Sequence, residues 1–222
     1  MPRFSSVIMD VDSTVAALEG IDWLAARRGP EVAARVAEAT ERAMRGEIAL
    51  DAVYGERLAL VKPGRAELAA LAEAYVAAAV PGAAAALARL REAGVRVALV
   101  SGGVRQAILP LARALGVDPR DVHAVDVVVD MGGGYYAFDA GSPLATQHGK
   151  RDVADRMVAG ALGAPPLPRP VLAVGDGSTD LAMKPAVDAF AAFVGVARRD
   201  AVVRGADHVL ESFDALVELV LP

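Results

Sequence analysis

The stretch that decides the fold is Val7-Ile8-Met9-Asp10-Val11-Asp12-Ser13-Thr14, in which an apolar run leads directly into two carboxylates. This pattern is typical of a buried strand that delivers acids to the edge of a sheet. Residues i and i+2 of an extended chain project to the same side, roughly 6 to 7 Å apart. That separation suits an in-line displacement in which one carboxylate attacks and the other serves the leaving group. Taken alone, however, the segment favours a strand that ends in a polar turn.

The overall composition describes a globular protein. The chain has 222 residues, of which 55% are hydrophobic and 23% charged. This length allows one large domain, or a core with a smaller insert. The formal net charge of −5 argues against non-specific nucleic-acid binding. The absence of cysteine excludes disulfides and thiolate chemistry.

The sequence gives no sign of a membrane segment. Acidic residues follow the N-terminus too closely for a signal peptide. The most apolar stretch, 68–90, is interrupted by charged residues, proline and glycine, so we expect helices there and no transmembrane span. We expect a soluble cytoplasmic protein with no membrane or nucleic-acid partner.

Strand-like and helix-like segments alternate along most of the chain. Strands are predicted at Ser6–Met9, Val95–Val100 and Val171–Val174, because each is rich in β-branched or large apolar residues. Helices are predicted at Ala83–Ala93, at Val104–Leu115 with a restriction at Pro110, and at Arg151–Leu162. Such alternation implies crossover connections and a parallel sheet flanked by helices, that is, a Rossmann-like α/β fold.

Two segments depart from this alternation. Residues 15–80 contain only helical patterns, at Ile21–Arg28, Glu31–Arg45, Leu50–Val61 and Ala66–Val80. We therefore expect an inserted helical cap at 15–80 and an α/β core formed by 1–14 and 81–222. Residues 125–139, with Gly132-Gly133-Gly134 at their centre, fit a β-hairpin better than a crossover. No helix start follows these glycines, so we interpret them as a turn rather than a phosphate loop.

Three polar clusters follow the three predicted strands. They are Asp10 with Asp12, Ser101-Gly102-Gly103, and the run from Gly175 to Asp180. The carboxyl ends of parallel strands meet at one edge of a sheet, where ligands bind. The sequence therefore predicts that these clusters converge on one site.

Each cluster has a chemical and a structural interpretation. Ser101 and the glycines after it could bind an anion at a helix N-terminus, or could form an ordinary N-cap. Asp176 and Asp180 could join Asp10 in a carboxylate cage for Mg²⁺, or could belong to a strand-to-helix turn. Lys150 begins a predicted helix and is by itself an ordinary surface lysine. A site with several carboxylates and a phosphate, however, needs a fixed positive charge.

Taken in sequence order, Asp10 with Asp12, Ser101-Gly102-Gly103, Lys150 and the run from Gly175 to Asp180 resemble the four motifs of haloacid-dehalogenase-like phosphatases. Within that superfamily the chain is similar to the phosphoserine phosphatase family over nearly its whole length. The similar segments are Asp10–Val15, Glu19–Asp22, Ala43–Gly46, Glu56–Leu60 and Asp176–Leu181.

The resemblance implies a role for each motif residue. Asp10 would be the nucleophile that forms an aspartyl-phosphate, and Asp12 would donate and then accept a proton. Mg²⁺ would be held by Asp10, the Asp12 carbonyl and Asp176, with Asp180 supporting the metal ligands. Lys150 would stabilise charge, and Ser101, Gly102 and Thr179 would bind the phosphate.

The resemblance also implies a substrate, O-phosphoserine. On the predicted helix Leu50–Val61, Arg57 falls on the apolar stripe, where a guanidinium needs an anionic partner. It matches the family residue that binds the serine carboxylate, and Glu19 matches the residue that pairs with the amino group. Without the resemblance, Arg57 would be a surface arginine and Glu19 a helix-start glutamate. Arg151, Thr179 and Leu50 depart from residues common among relatives.

Three alternatives remain at this point. The same chemistry could act on another small phosphate ester, or could transfer the phosphoryl group to an alcohol such as homoserine. The chain could also be a non-catalytic module that binds phosphometabolites, although it retains the nucleophile, acid, lysine and metal-binding aspartates. A homodimer is compatible with the sequence but is not derivable from it.

Overall fold

The computed structural model describes residues 1–44 and 50–221, and a parallel β-sheet lies at its centre. In chain order the strands are β1 (Ser6–Met9), β2 (Arg96–Val104), β3 (Val122–Val125), β4 (Val127–Val129), β5 (Tyr135–Phe138), β6 (Val171–Gly175), β7 (Ala189–Phe193) and β8 (His208–Leu210). The main sheet has six strands in the order β3-β2-β1-β6-β7-β8, and every neighbouring pair is parallel. The predicted α/β class is confirmed.

Helices separate most of the strands. They are α1 (Gly20–Arg28), α2 (Pro30–Met44), α3 (Leu50–Val61), α4 (Arg65–Ala77), α5 (Ala83–Glu92), α6 (Arg105–Ala114), α7 (Gly149–Ala159), α8 (Ser178–Leu181), α9 (Asp200–Gly205) and α10 (Phe213–Val220). The predicted helices agree with α1 to α7 to within a few residues, and α6 continues through Pro110. Arg45, the predicted end of the second helix, lies outside the described residues. No helix in the described ranges is long and apolar enough to cross a membrane.

The central strand β1 explains why its sequence is apolar without alternation. It pairs with β2 on one side and β6 on the other, and Val7, Ile8 and Met9 are fully buried. A strand covered on both faces requires apolar residues at every position. In the register of the sheet, Met9 lies beside Leu99 of β2 and Val174 of β6. The residues that follow these three positions therefore meet at one edge.

The course of β2 corrects one expectation. The strand continues through Ser101-Gly102-Gly103 to Val104, with an irregular register against β3, and α6 begins only at Arg105. The serine and glycines thus belong to an irregular strand end and not to a helix N-terminus.

The β-hairpin is present as a two-stranded antiparallel sheet of β4 and β5. Gly133 has a positive φ of 87°, a conformation that favours glycine. Its carbonyl accepts a hydrogen bond of 2.7 Å from the Arg65 N–H at the start of α4. The three glycines therefore form a turn, as predicted, and the structure adds a hydrogen bond from this turn to α4.

Candidate active site

A cavity of about 230 Å³ opens at the carboxyl ends of β1, β2 and β6. Its lining includes every site residue singled out from the sequence: Asp10, Asp12, Glu19, Arg57, Ser101, Gly102, Lys150, Asp176, Thr179 and Asp180. Helices α1 and α3 contribute Ile21, Val53 and Tyr54 to the same lining. The structure thus brings together residues that are far apart in the sequence.

Lys150 joins two of the aspartates. Its Nζ lies 2.5 Å from Asp180 Oδ1, in a hydrogen bond, and 2.7 Å from Asp10 Oδ1, in an ion pair without hydrogen-bond geometry. Gly149 makes this placement possible, because a Cβ there would overlap the Pro143 carbonyl. Helix α7 can therefore begin close to that loop and direct Lys150 into the cavity.

Burial controls the electrostatics of this group. Burial raises the pKa of Asp10 well above its usual range, and the nearby Asp180 adds to the rise, which Lys150 offsets only in part. Burial alone would lower the pKa of Lys150, but Asp10 and Asp180 outweigh it and hold that pKa above its ordinary value. The ammonium is therefore a permanent positive charge inside the cavity.

Asp12 has a different environment from Asp10. Burial, and then the charge of Glu19, raise the pKa of Asp12 to about 7, while a hydrogen bond from Tyr75 lowers it. The Tyr75 hydroxyl donates to Asp12 Oδ1 at 2.6 Å. The next residue, Ser13, has a positive φ of 53°, and its hydroxyl donates to Glu19 at 2.7 Å. A carboxyl with this pKa can give or take a proton near neutral pH.

Three carboxylates are suited to a cation. Asp10, Asp176 and Asp180 each offer a carboxylate oxygen, and these oxygens lie within 4.8 Å of one another. Asp10 Oδ1 and Asp176 Oδ2 are buried, and among the described residues their cationic contacts are the Lys150 ammonium and the Arg199 guanidinium, respectively. A Cβ at Gly175 would overlap the Asp180 carboxyl, so this cluster requires glycine at the end of β6. Hard oxygen donors of this kind fit Mg²⁺.

The residues to which the resemblance assigns phosphate binding lie around the same cavity. Ser101 is buried, and its hydroxyl accepts a 2.9 Å hydrogen bond from the Gly103 N–H. Gly102 and Thr179 are partly exposed in the lining. A serine hydroxyl fixed by the backbone can still donate its own proton to an anion.

Arg57 and Glu19 lie on the side formed by the helices. The Arg57 guanidinium donates to Asp22 at 2.9 Å, whereas its Nε is buried and has no hydrogen-bond partner among the described residues. Tyr54, three residues earlier on α3, has a buried hydroxyl that also lacks a partner within the described part of the chain. Asp22 therefore supplies part of the anionic partner that Arg57 was expected to need.

The departures from the family pattern have different surroundings. The Arg151 side chain is exposed, and its Nε lies 3.8 Å from Asp155 Oδ2 on α7. Arg151 is not among the residues that line the cavity. Thr179 is in the lining. The side chain of Leu50, and the Arg45-Gly46 part of the family pattern, lie outside the described residues.

The residues at the site that were not predicted from the sequence include Tyr54, Tyr75 and Arg199. Arg199 follows β7 in a loop, contacts the Asp176 carboxylate and lies 3.9 Å from Glu19. Tyr75 and Tyr54 are both on the apolar faces of helices, where a tyrosine looks like an ordinary core residue. The only available signal was a polar atom on an apolar stripe.

Comparison with known proteins agrees with this geometry. Residues 7–185 match the family model described as haloacid dehalogenase-like hydrolase. The chain is 35% identical to the phosphoserine phosphatase of Homo sapiens over 212 residues, which cover 96% of this chain and 91% of the human protein. It is 36% identical to the phosphoserine phosphatase of Halobacterium salinarum, covering 95% of this chain and 94% of that protein.

A solved structure has the same architecture. It is a substrate-bound phosphoserine phosphatase complex, which matches with a TM-score of 0.74 and 25% identity over 96% of this chain and 95% of the other. The family model covers most of the chain, and the relatives match nearly all of it. The chain therefore belongs to the haloacid dehalogenase-like hydrolase family.

Proposed function

We propose that this protein is a Mg²⁺-dependent phosphatase that hydrolyses O-phospho-L-serine to L-serine and phosphate. One observation carries the proposal: a buried carboxylate, Asp10, lies beside a buried ammonium, Lys150, in a cavity that also contains Asp12. The near-complete match to phosphoserine phosphatases supports the choice of substrate.

The two carboxylates at the end of β1 perform the covalent chemistry. Asp10 attacks phosphorus and forms an aspartyl-phosphate, while Asp12 gives its proton to the departing seryl oxygen. Asp12, now ionised, takes a proton from the water that cleaves the aspartyl-phosphate, which returns both residues to their starting states. A pKa of about 7 makes both forms of Asp12 accessible near neutral pH.

The carboxylate cluster would hold the metal. Asp10, the backbone carbonyl of Asp12 and Asp176 would bind Mg²⁺, and Asp180 would support the site while it fixes Lys150 at 2.5 Å. When bound, Mg²⁺ supplies positive charge that neutralises the phosphate oxygens. The convergence of carboxylate oxygens from Asp10, Asp176 and Asp180 within 4.8 Å of one another supports this assignment.

Four residues of this chain bind the transferred group. Lys150 holds phosphate oxygens through charge, and Ser101, Gly102 and Thr179 hold them through hydroxyl and backbone donors. This arrangement places positive charge and donors where negative charge is present in the transition state.

The amino-acid part of the substrate contacts the helical side of the cavity. Arg57 Nε and Tyr54 Oη are buried and close in sequence on α3, and neither has a hydrogen-bond partner in residues 1–44 and 50–221, so a carboxylate could accept from both. Glu19, which is partly exposed at the start of α1, would pair with the amino group. Helices α1 to α4 would thus act as the cap, formed by 15–80, over a core of 1–14 and 81–222.

The test is phosphate release from O-phospho-L-serine, compared with a panel of phosphate esters, with Mg²⁺ present or chelated. Preferred hydrolysis of phosphoserine that disappears with chelation is the expected result. Parallel reactions with alcohol acceptors, homoserine included, separate hydrolysis from phosphoryl transfer. A phosphorylated acceptor formed in place of free phosphate would overturn the proposal.

A further inference from the structure

Helix α4 carries Tyr75, whose hydroxyl contacts a site residue although Tyr75 is not among the residues that line the cavity. Tyr75 is fully buried, and its hydroxyl donates to Asp12 Oδ1 at 2.6 Å. Its ring belongs to the hydrophobic core, so the polar end is the part of the side chain that contacts the site. A phenol near neutral pH carries its proton and can act as the donor in this bond.

The surrounding backbone leaves a narrow space for this hydroxyl. A Cβ at Gly20, the first residue of α1, would overlap the Tyr75 hydroxyl oxygen. A Cβ at Gly103 would lie 3.2 Å from the same atom. Two glycines, one from α1 and one from the end of β2, therefore border the hydroxyl. A hydroxyl confined in this way fixes the position of the carboxyl to which it is bonded.

We propose that Tyr75 is a positioning residue that orients the Asp12 carboxyl for both of its proton transfers. The inference rests on the proposed function and adds a residue to it. It also connects proton transfer at the end of β1 to a helix of the region 15–80. A misplaced acid or base loses much of its effect, and general acid–base catalysis contributes about 10²- to 10⁴-fold.

The test replaces Tyr75 by phenylalanine, which keeps the ring and removes only the hydroxyl. Rapid-quench measurements then follow formation and hydrolysis of the phosphoenzyme from two substrates. O-phospho-L-serine has an alkoxide leaving group that needs a proton, whereas the p-nitrophenolate of p-nitrophenyl phosphate does not. The matched control is Tyr136→Phe, because Tyr136 is exposed on the hairpin.

If Tyr75 positions Asp12, its loss should affect phosphoenzyme formation from the two substrates differently but should slow phosphoenzyme hydrolysis with both. In Tyr75→Phe, phosphoenzyme formation from phosphoserine should fall by about tenfold or more, and formation from p-nitrophenyl phosphate should change by less than about twofold. Hydrolysis of the phosphoenzyme should slow by about tenfold or more with either substrate, because that step needs Asp12 as a base. Gly20→Ala, which displaces the hydroxyl, should reproduce this pattern and add little in the Tyr75→Phe background.

Two results would overturn the inference. Equal losses of phosphoenzyme formation from both substrates would show that the hydroxyl only maintains the packing of the site, and unchanged rates in all steps would show that it has no role. If the wild-type protein does not use phosphoserine, the proposed substrate fails. In that case the hydrolysis step after p-nitrophenyl phosphate still decides the role of Tyr75.

Discussion

Lys150 Nζ lies 2.7 Å from Asp10 Oδ1, and both side chains are more than nine-tenths buried. One residue follows the central strand and the other begins α7, so their contact depends on the complete fold. The same ammonium bonds Asp180. This pairing holds the proposed nucleophile and a carboxylate of the proposed metal site together in a buried cluster.

Loss of the Lys150 ammonium should impair both activity and stability. We expect Lys150→Ala to reduce kcat by about 10²-fold or more, since one group that stabilises developing charge is removed. Leaving the aspartates without this partner should cost about 3 kcal/mol of unfolding free energy. Steady-state kinetics and denaturant unfolding measure the two effects. Lys184→Ala is the control, because Lys184 pairs with Asp207 at the surface, and its kcat should not change. Similar kcat values for the two variants would contradict the role of Lys150.

Magnesium should stabilise the folded protein independently of turnover. A ligand at about 100 times its Kd adds about 2.7 kcal/mol to the stability of the native state. For a chain of this size that corresponds to an increase in Tm of about 5 to 10 °C. Thermal unfolding with Mg²⁺ or with chelator measures the increase. Asp176→Asn should abolish most of it, and a full increase in that variant would argue against the carboxylate cluster as the metal site.

Arg57 should select the substrate without affecting the chemistry. We expect Arg57→Ala to lower kcat/KM for O-phospho-L-serine by about tenfold to a hundredfold, the usual value of hydrogen bonds to a charged group. p-Nitrophenyl phosphate has no carboxylate, so its kcat/KM should change by less than about twofold. Glu56→Ala on the exposed face of α3 serves as the control. Equal losses on both esters would refute the assignment.

Gly175 should not tolerate a side chain. A Cβ at this position would overlap the Asp180 carboxyl. Gly175→Ala must therefore displace Asp180, which accepts hydrogen bonds from Lys150 and from the Gly177 N–H. We expect a loss of about 1 to 3 kcal/mol from overpacking and a smaller rise in Tm with Mg²⁺. Denaturant unfolding and thermal unfolding with Mg²⁺ measure these effects. A variant with unchanged stability and an unchanged response to Mg²⁺ would show that the close approach has no consequence.

The sequence predicted the parts of the fold that depend on local pattern. The uninterrupted apolar run Val7-Ile8-Met9 in β1 indicated a strand buried on both faces, and α3 was predicted with its observed bounds. Strands β3, β7 and β8 were not predicted. Strand β7 is alanine-rich, and β3 and β8 have only 4 and 3 residues, so none of them differs clearly from a helix or a loop before the sheet forms around it.

For the site as well, residues marked by local sequence pattern were predicted and residues defined by tertiary contacts were missed. Asp10, Asp12, Asp176 and Asp180 could be identified because they follow predicted strands, which is local information, whereas the site roles of Lys150, Glu19 and Arg57 came from the family resemblance. Tyr75 and Arg199 could not, since their partners, Asp12 and Asp176, are set by tertiary contacts. The extension of β2 through Ser101 was missed for a related reason: pairing with β3 overrides the tendency of two glycines to end a strand.

The role of Asp10 as the nucleophile can be tested by comparing phosphate release by the wild type and Asp10→Asn. Both proteins receive O-phospho-L-serine and Mg²⁺ after thermal unfolding has shown that each is folded. We expect turnover by the wild type and none by Asp10→Asn, since an amide at this position cannot form the aspartyl-phosphate. Mg²⁺-dependent turnover retained by folded Asp10→Asn would contradict this role.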